Sequence, residues 1–273
     1  MYRQRFSLTG HPLPKDAQGK TFFTETPSYR RLARYFGQHQ QDPGLGVLTA
    51  EAGVGKTAAI RNLCGGLPRP DFHVSYLCDT AVSPLDLYRT LALDLGIRAS
   101  HRRAQLWADI KATLVKLVDE RGISPVMIID EAQHLSDRFL IDLSGFVNFA
   151  FDSRDLITLW LVGTPHLSKR LRLQTHAALA MRVSAWVQLE PLEREDFREL
   201  IEHALKAVGA QNKILADPAY EMLFRSSRGV PRIASRLLRA ALQMAHERDQ
   251  NFVDEHVLEA AIDDMGYPFA GAA

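Results

Sequence analysis

The sequence predicts a doubly wound α/β core followed by a small, purely helical domain. Three observations carry this prediction. Apolar segments at 126–129 and 156–163 are typical of parallel strands that are buried on both faces. Segments of helical periodicity alternate with such strands up to about residue 190, and the connections are short. From residue 193 onward the pattern is helical only.

The elements follow from hydrophobic periodicity and turn residues, taken in chain order. The predicted strands are 46–51, 72–79, 125–131, 156–163 and 186–192. The helices predicted around them are 28–41, 55–64, 84–96 and 104–122. The four helices predicted after them are 194–209, 217–227, 231–249 and 253–266. We expect an N-terminal extension and helix at 1–43 that packs on the core, an α/β domain at 44–191, a helical lid at 192–266 and a flexible tail at 267–273.

Composition is that of an ordinary globular protein, with 46% hydrophobic and 24% charged residues. No apolar run reaches 18 residues, and the first residues lack the apolar core of a signal peptide. We therefore expect a cytoplasmic protein with no membrane partner.

Cys64 and Cys78 have neither metal-site nor disulfide spacing, which predicts reduced, buried thiols. The net charge of +1 means that any nucleic-acid surface must be a local patch.

The segment VLTAEAGVGKT at 47–57 nearly matches the phosphate-loop pattern G-x-x-x-x-G-K-[ST], with Ala50 at the first glycine position. Alanine there costs nothing if its φ is negative and about 1 kcal/mol if it is positive. Backbone amides at a helix start favour a phosphate, Lys56 would reach its oxygens, and Thr57 would hold Mg²⁺. A simple glycine turn is the alternative. The residues predicted to bind nucleotide are Ala52, Gly53, Val54, Gly55, Lys56, Thr57 and Ala58.

Two carboxylates end the apolar strand PVMIIDE, at the edge where open α/β sheets bind ligands. Asp130 suits Mg²⁺ coordination, and Glu131 suits polarising the water that attacks a phosphoryl group. The alternative is an acidic helix start after a strand. Together with the glycine loop, the pair predicts hydrolysis of a nucleotide such as ATP, bound with Mg²⁺.

Polar residues at two further turns are candidates for sensing the γ-phosphate. Thr164 follows the strand LITLWLVG, although Gly-Thr-Pro can also be a plain turn. Arg232 begins a helix after a Gly-Val-Pro turn and can reach the phosphates, or can be a structural residue at a helix start. Arg182, before the final strand, is the candidate that would enter a neighbouring subunit's site. Arg170 and Arg172 are its rivals.

These motifs resemble those of AAA+ ATPases: the loop AEAGVGKT, the strand end IIDEAQHL, the sensor strand LVGTP and the arginine in GVPR. The opening MYRQRFSLTGHPLPKD…FF and the DEAQ segment are similar to the ExeA-like group and to the transposition regulators of the TniB, TnsC and MuB type. The resemblance covers about residues 1–265. It implies a P-loop AAA+ core with a helical lid, ATP and Mg²⁺ as cofactors, and control of assembly by hydrolysis.

Two departures from the ExeA-like pattern stand out: Ala50 in the loop, and Thr164 where relatives often carry glutamine. Secretion-associated members also add a membrane segment and a wall-binding domain, which are not found in this sequence. We therefore expect the transposition type. The resemblance implies subunits that assemble as a ring or filament on duplex DNA, recruit a transposase with or without a targeting protein, and disassemble after hydrolysis.

Contacts to DNA of arbitrary sequence should be made to phosphates by basic side chains. The first candidate patch contains Arg98, Arg102 and Arg103, with Lys111 two turns further on. A second cluster is at 169–172. A basic run can also be only a solvated face.

Two other functions stay open at this stage. One is an ATPase that assists secretion or cell-envelope assembly, which would need a membrane-anchored partner. The other is a nucleotide-gated scaffold with negligible turnover. A response of the ATPase to DNA would distinguish the transposition regulator from the secretion ATPase. The rate of phosphate release would distinguish it from the scaffold.

Overall fold

The computed structural model describes residues 2–14 and 25–266. The chain divides into two compact units. The first unit comprises Pro27–Ala52 and Lys56–Leu189; the described residues of the second are 2–14, 25–26, 53–55 and 190–266. The tail predicted at 267–273 lies outside the described residues, as do Phe22 and Phe23 of the N-terminal signature.

The first unit is built on a five-stranded parallel sheet with the order β2-β3-β4-β1-β5. The strands are β1 (Leu45–Thr49), β2 (Phe72–Leu77), β3 (Ser124–Ile129), β4 (Thr158–Gly163) and β5 (Val183–Gln188). Because every pairing is parallel, the carboxyl ends of all five strands lie at one edge. The segments that follow β1, β3 and β4 therefore meet at that edge.

The helices are α1 (Tyr2–Arg5), α2 (Pro27–Gln41), α3 (Lys56–Gly65), α4 (Pro84–Asp94), α5 (Arg103–Asp119), α6 (Asp137–Phe146), α7 (Pro165–Leu171), α8 (Ala177–Ala180), α9 (Arg194–Ala207), α10 (Asp217–Ser227), α11 (Pro231–Glu247) and α12 (Glu255–Asp264). Single 3₁₀ turns lie at Ala132–His134, Ala150–Asp152 and Gln174–His176. The α/β class is confirmed. The sequence prediction placed α10 at its observed bounds and missed α1, α6, α7 and α8, which are short or lie between motifs.

Both faces of the sheet are covered, as the apolar strands predict. One face contributes to a hydrophobic cluster with α4, α5 and α6. On the other, fully buried Trp160 of β4 lies near Phe36 of α2, with ring centroids 6.1 Å apart. Gly46 of β1 makes room for this indole, because a Cβ at Gly46 would lie 2.5 Å from Trp160 Cε3.

Gly46→Ala is expected to destabilise the α/β unit by about 1–3 kcal/mol, because the rigid indole cannot move away without repacking α2. Urea unfolding measures this. Gly37→Ala is the matched control: Gly37 lies inside α2 with open space around its Cβ position, so alanine should leave stability equal or raise it. Equal stability of both variants would contradict the packing of Trp160 on Gly46.

The second unit has its own core, formed by α9, α10, α11 and α12. The N-terminal segment belongs to this core: Tyr2, Phe6 and Leu8 are buried in its hydrophobic cluster. Arg5 donates to Asp249 at 2.5 Å. This differs from our expectation that all of 1–43 packs on the α/β core: among the described residues of that segment, the helix at 27–41 belongs to the α/β unit and residues 2–14 to the second unit. The apolar side chains of the first residues match the α9–α12 cluster, which their position in the chain does not reveal.

The two thiols differ in environment. Burial raises the pKa of Cys64 to about 11. Cys78, directly after β2, is exposed, so the expectation of two buried thiols is wrong for this residue.

Within the described residues, each helix is too short or too polar to cross a bilayer.

Candidate nucleotide-binding site

The loop between β1 and α3 has the backbone that a phosphate loop requires. Gly53 and Gly55 have φ values of +90° and +118°, which side chains disfavour. Ala50 is fully buried and is not among the residues of positive φ, so its replacement of glycine carries no strain. Its amide continues the sheet by donating to Gly163 O at 3.1 Å. The loop keeps glycine at the positions that need it.

Lys56 is the first residue of α3, and its side chain is 7% exposed. Its Nζ donates to Ala50 O at 3.2 Å, which uses one of the three donors of the ammonium group. A buried cation gains from a nearby anion, because a single carbonyl does not replace its hydration. Lys56 therefore suits a phosphate oxygen at this loop.

Asp130 and Thr57 meet although they are far apart in sequence. Thr57 Oγ1 donates to Asp130 Oδ2 at 2.7 Å, and Asp130 is 3% exposed. A hydroxyl that donates its proton to a carboxylate keeps its lone pairs for a cation. Hydroxyl and carboxylate oxygens suit the hard Mg²⁺ ion, which keeps water and phosphate ligands beside a few protein ligands. The pair fits the predicted Mg²⁺; no larger group of metal-ligating side chains occurs in the described residues.

Tyr76, near the end of β2, also holds Asp130, and the sequence analysis missed it. Its hydroxyl donates to Asp130 Oδ2 at 2.8 Å, while Asp130 Oδ1 accepts the amide of Glu131 at 2.8 Å. Burial, together with the bond to Asp130, raises the pKa of Tyr76, so the phenol stays protonated as a donor. The pairing of β2 with β3 brings this tyrosine to the carboxylate. No local sequence signal reveals such a contact.

Glu131 follows in a left-handed conformation, with φ 52° and ψ 34°. A non-glycine residue in this conformation costs on the order of 1 kcal/mol, and such residues recur at active sites. Thr80 Oγ1 donates to Glu131 O at 2.8 Å and so fixes this backbone. The carboxylate is exposed, and its Oε2 accepts Gln133 Nε2 at 2.6 Å.

Thr164 precedes α7 at the end of β4, the strand that pairs with both β1 and β3. Its amide donates to Gln133 Oε1 at 3.1 Å, and its hydroxyl does not cap the helix. Gln133 thus connects Thr164 with Glu131. No sequence motif indicates a role for this glutamine.

The predicted trans-acting arginine is paired within its own subunit. Arg182 donates to both carboxylate oxygens of Asp152, at 2.5 and 2.8 Å. This hydrogen bonding lowers the pKa of Asp152 and raises that of Arg182. Arg170 is engaged as well, with Gln133 O and Leu135 O at 2.8 Å each. Arg172, by contrast, is exposed.

Arg232 is the second residue of α11 and is exposed. Its amide donates to Gly53 O at 3.3 Å, and both residues belong to the second unit. A Cβ at Gly53 would lie 2.9 Å from Arg232 Cβ. Gly53 therefore has two reasons to be glycine: its φ and its contact with the start of α11.

The predicted DNA patch divides into free and engaged side chains. Arg98 and Arg102 are exposed. Arg103 pairs with Asp142 of α6 at 2.6 Å. Lys111 stays a prediction as a DNA contact: its ammonium donates to Asn148 O and lies 4.6 and 4.3 Å from the centroids of Trp107 and Phe149. Burial lowers its pKa, and the ammonium packs against two aromatic rings.

Comparison with known proteins agrees with this geometry. Residues 38–171 match the family model described as an AAA domain. Cdc6p of Pyrobaculum aerophilum is similar in structure, with a TM-score of 0.70 at 16% identity, over 96% of this chain and 70% of that one. The chain has an AAA+ fold. Its five-stranded parallel sheet, phosphate loop and helical C-terminal region are those of such proteins.

Two further similarities extend beyond the matched domain. The Drosophila ORC bound to DNA has a TM-score of 0.69 at 18% identity, over 97% of this chain and 65% of that one. General secretion pathway protein A of Aeromonas hydrophila is 28% identical over 258 residues. That match covers 91% of this chain, and the chain spans 45% of the length of that relative.

Proposed function

We propose that the chain binds ATP with Mg²⁺ and hydrolyses it to ADP and phosphate. The bond of 2.7 Å between Thr57 Oγ1 and Asp130 Oδ2, next to the buried Lys56, is the observation that carries this proposal. A water would attack the γ-phosphorus and the bond to the bridging oxygen would break. Glu131 would accept the proton of that water.

Each remaining site residue has a proposed part. Lys56 neutralises the β- and γ-oxygens, and the amides of 52–58 hold the β-phosphate. Thr57 and Asp130 would hold Mg²⁺, which supplies charge stabilisation to the leaving phosphate when bound. Thr164 and Arg232 would respond to the γ-phosphate.

Arg182 is proposed to act on a neighbouring subunit's nucleotide. It lies directly before β5, at the amino edge of the parallel sheet, whereas Asp130 follows the carboxyl end of β3. A strand of six residues spans about 20 Å, so Arg182 cannot serve the site of its own subunit. It must also leave its ion pair with Asp152 to do so.

Self-association into a ring or filament follows from that arrangement, and the surface near Arg182 supports it. Met181 is 87% exposed and Phe151, beside Asp152, is fully exposed. Because Arg182 pairs with Asp152, their chain neighbours Met181 and Phe151 belong to one region of the surface. Exposed apolar surface grouped in one region is typical of interaction sites.

We further propose that this ATPase regulates DNA transposition: it assembles on duplex DNA and recruits a transposase, with or without a targeting protein. Its proposed phosphate contacts are Arg98 and Arg102, which are exposed, together with Arg103 and Lys111 of the same predicted patch. A similar fold occurs in a protein whose structure contains DNA, the Drosophila ORC. The cytoplasm is the compartment that this function requires.

Electron microscopy with a slowly hydrolysed ATP analogue and duplex DNA tests this proposal. We expect rings or filaments that need both ligands, and Arg182→Ala should reduce DNA-stimulated phosphate release by at least about 100-fold. Arg172→Ala is the matched control, because Arg172 is an exposed arginine of the same region. Monomers under these conditions, or a larger loss from Arg172→Ala, would contradict the assignment.

A second candidate is an ATPase that assists secretion, favoured by the similarity to the Aeromonas secretion protein over 91% of the chain. Under this alternative, DNA leaves turnover and assembly unchanged, and the chain co-purifies with envelope components. A nucleotide-gated scaffold would instead bind ATP and release almost no phosphate, with or without DNA.

A further inference from the structure

The side-chain amide of Gln133 lies between the two residues that the proposed hydrolysis assigns to water activation and phosphate sensing. Its Nε2 donates to Glu131 Oε2 at 2.6 Å, and its Oε1 accepts the Thr164 amide at 3.1 Å. Both ends of the amide are used, so its orientation is determined by its partners. A single side chain therefore joins the segment after β3 to the segment after β4.

Gly163 makes this bridge possible. A Cβ at Gly163 would lie 2.6 Å from Gln133 Oε1 and 3.1 Å from Leu167 Cδ2. The absence of a side chain at the last residue of β4 lets the amide oxygen approach the backbone. An alanine there would push the amide away, and the bond to Thr164 would be lost.

The backbone that carries Gln133 is also fixed. Arg170 of α7 donates from one guanidinium nitrogen to Gln133 O and Leu135 O, at 2.8 Å each. Its other terminal nitrogen donates to Asp137, which also contacts buried His176 at 3.0 Å. Arg170 thus holds the 3₁₀ turn at Ala132–His134 against α7, and the glutamine extends from a rigid support.

We infer that Gln133 is a positioning residue for hydrolysis, an inference that rests on the proposed ATPase function. It holds one oxygen of the Glu131 carboxylate and leaves the other to accept the proton of the attacking water. It also transmits the position of Thr164 to that carboxylate. Movement of the sensor turn on loss of the γ-phosphate therefore reorients Glu131 through the glutamine amide.

Steady-state kinetics of Gln133→Ala tests this role. We expect kcat to fall by about 10-fold or more, because a misplaced catalytic group loses rate steeply, while KM for ATP stays within about twofold. Gln133→Glu should lose more, since it places a second carboxylate against Glu131. Gln105→Ala is the matched control, because Gln105 of α5 also donates to a carboxylate, that of Asp109, at an exposed position. An unchanged or raised kcat of Gln133→Ala would overturn the inference.

Thermal unfolding supplies a readout that does not depend on turnover. Gly163→Ala should lower Tm, and at least half of that loss should disappear in the Gln133→Ala background, where no amide oxygen opposes the new Cβ. Fully additive losses would show that Gln133 does not occupy this place and would overturn the inference. If wild type released no phosphate, the proposed ATPase function would fail. The comparison of Gly163→Ala with and without Gln133→Ala would still decide whether the Gln133 amide lies between Glu131 and Thr164.

Discussion

Lys56→Ala is expected to weaken ATP binding by at least about 100-fold, which corresponds to about 2.7 kcal/mol. The ammonium would make charge-assisted bonds to phosphate oxygens, each worth about 1.5–3 kcal/mol. Lys56 is 7% exposed, and its ammonium donates to Ala50 O. Its removal should therefore leave Tm equal or higher, so that loss of binding is separated from loss of fold.

Titration with a fluorescent ATP analogue measures this effect. Lys116→Ala is the matched control, since Lys116 is an exposed lysine of α5 in the same unit. Control and wild type should bind alike. Should Lys56→Ala bind as tightly as they do, the loop would be an ordinary glycine turn before a helix, the alternative that the sequence left open.

The sequence was sufficient for the core architecture because its strands are buried on both faces. Continuous apolar runs such as the one ending at Gly163 leave few other interpretations, and parallel pairing then places their carboxyl ends together. Thr57 and Asp130 could be paired in this way from two motifs 73 residues apart, and their hydroxyl and carboxylate are in contact. Short α7 and α8 carry too little periodicity for such a prediction.

Side chains that act on the motifs from other strands could not be found in the same way. Tyr76 reaches Asp130 only because β2 pairs with β3, and Gln133 reaches Thr164 only because β3 pairs with β4. The intramolecular partners of the basic run at the start of α5 could not be predicted for a related reason. The sequence does not show that Asp142 of α6 faces Arg103 or that Asn148 O accepts Lys111.

Glu131→Gln is expected to keep ATP binding and to lower the rate of hydrolysis by about 100-fold or more. The substitution preserves size and removes the carboxylate that would accept the proton of the attacking water. Lys56, Thr57 and Asp130 are untouched, so Kd for ATP should stay within about twofold of wild type. The ATP-bound assembly should then persist, because the step proposed to end it is blocked.

Phosphate release and light scattering in the same sample, with ATP, Mg²⁺ and duplex DNA, test both parts of this prediction. Glu120→Gln, an exposed glutamate at the end of α5, is the matched control and should assemble and disassemble like wild type. Normal hydrolysis by Glu131→Gln would remove the proton-accepting role. Slow hydrolysis with normal disassembly would support Glu131 as the proton acceptor and would reject control of assembly by hydrolysis. The left-handed residue Glu131 would then act in hydrolysis alone.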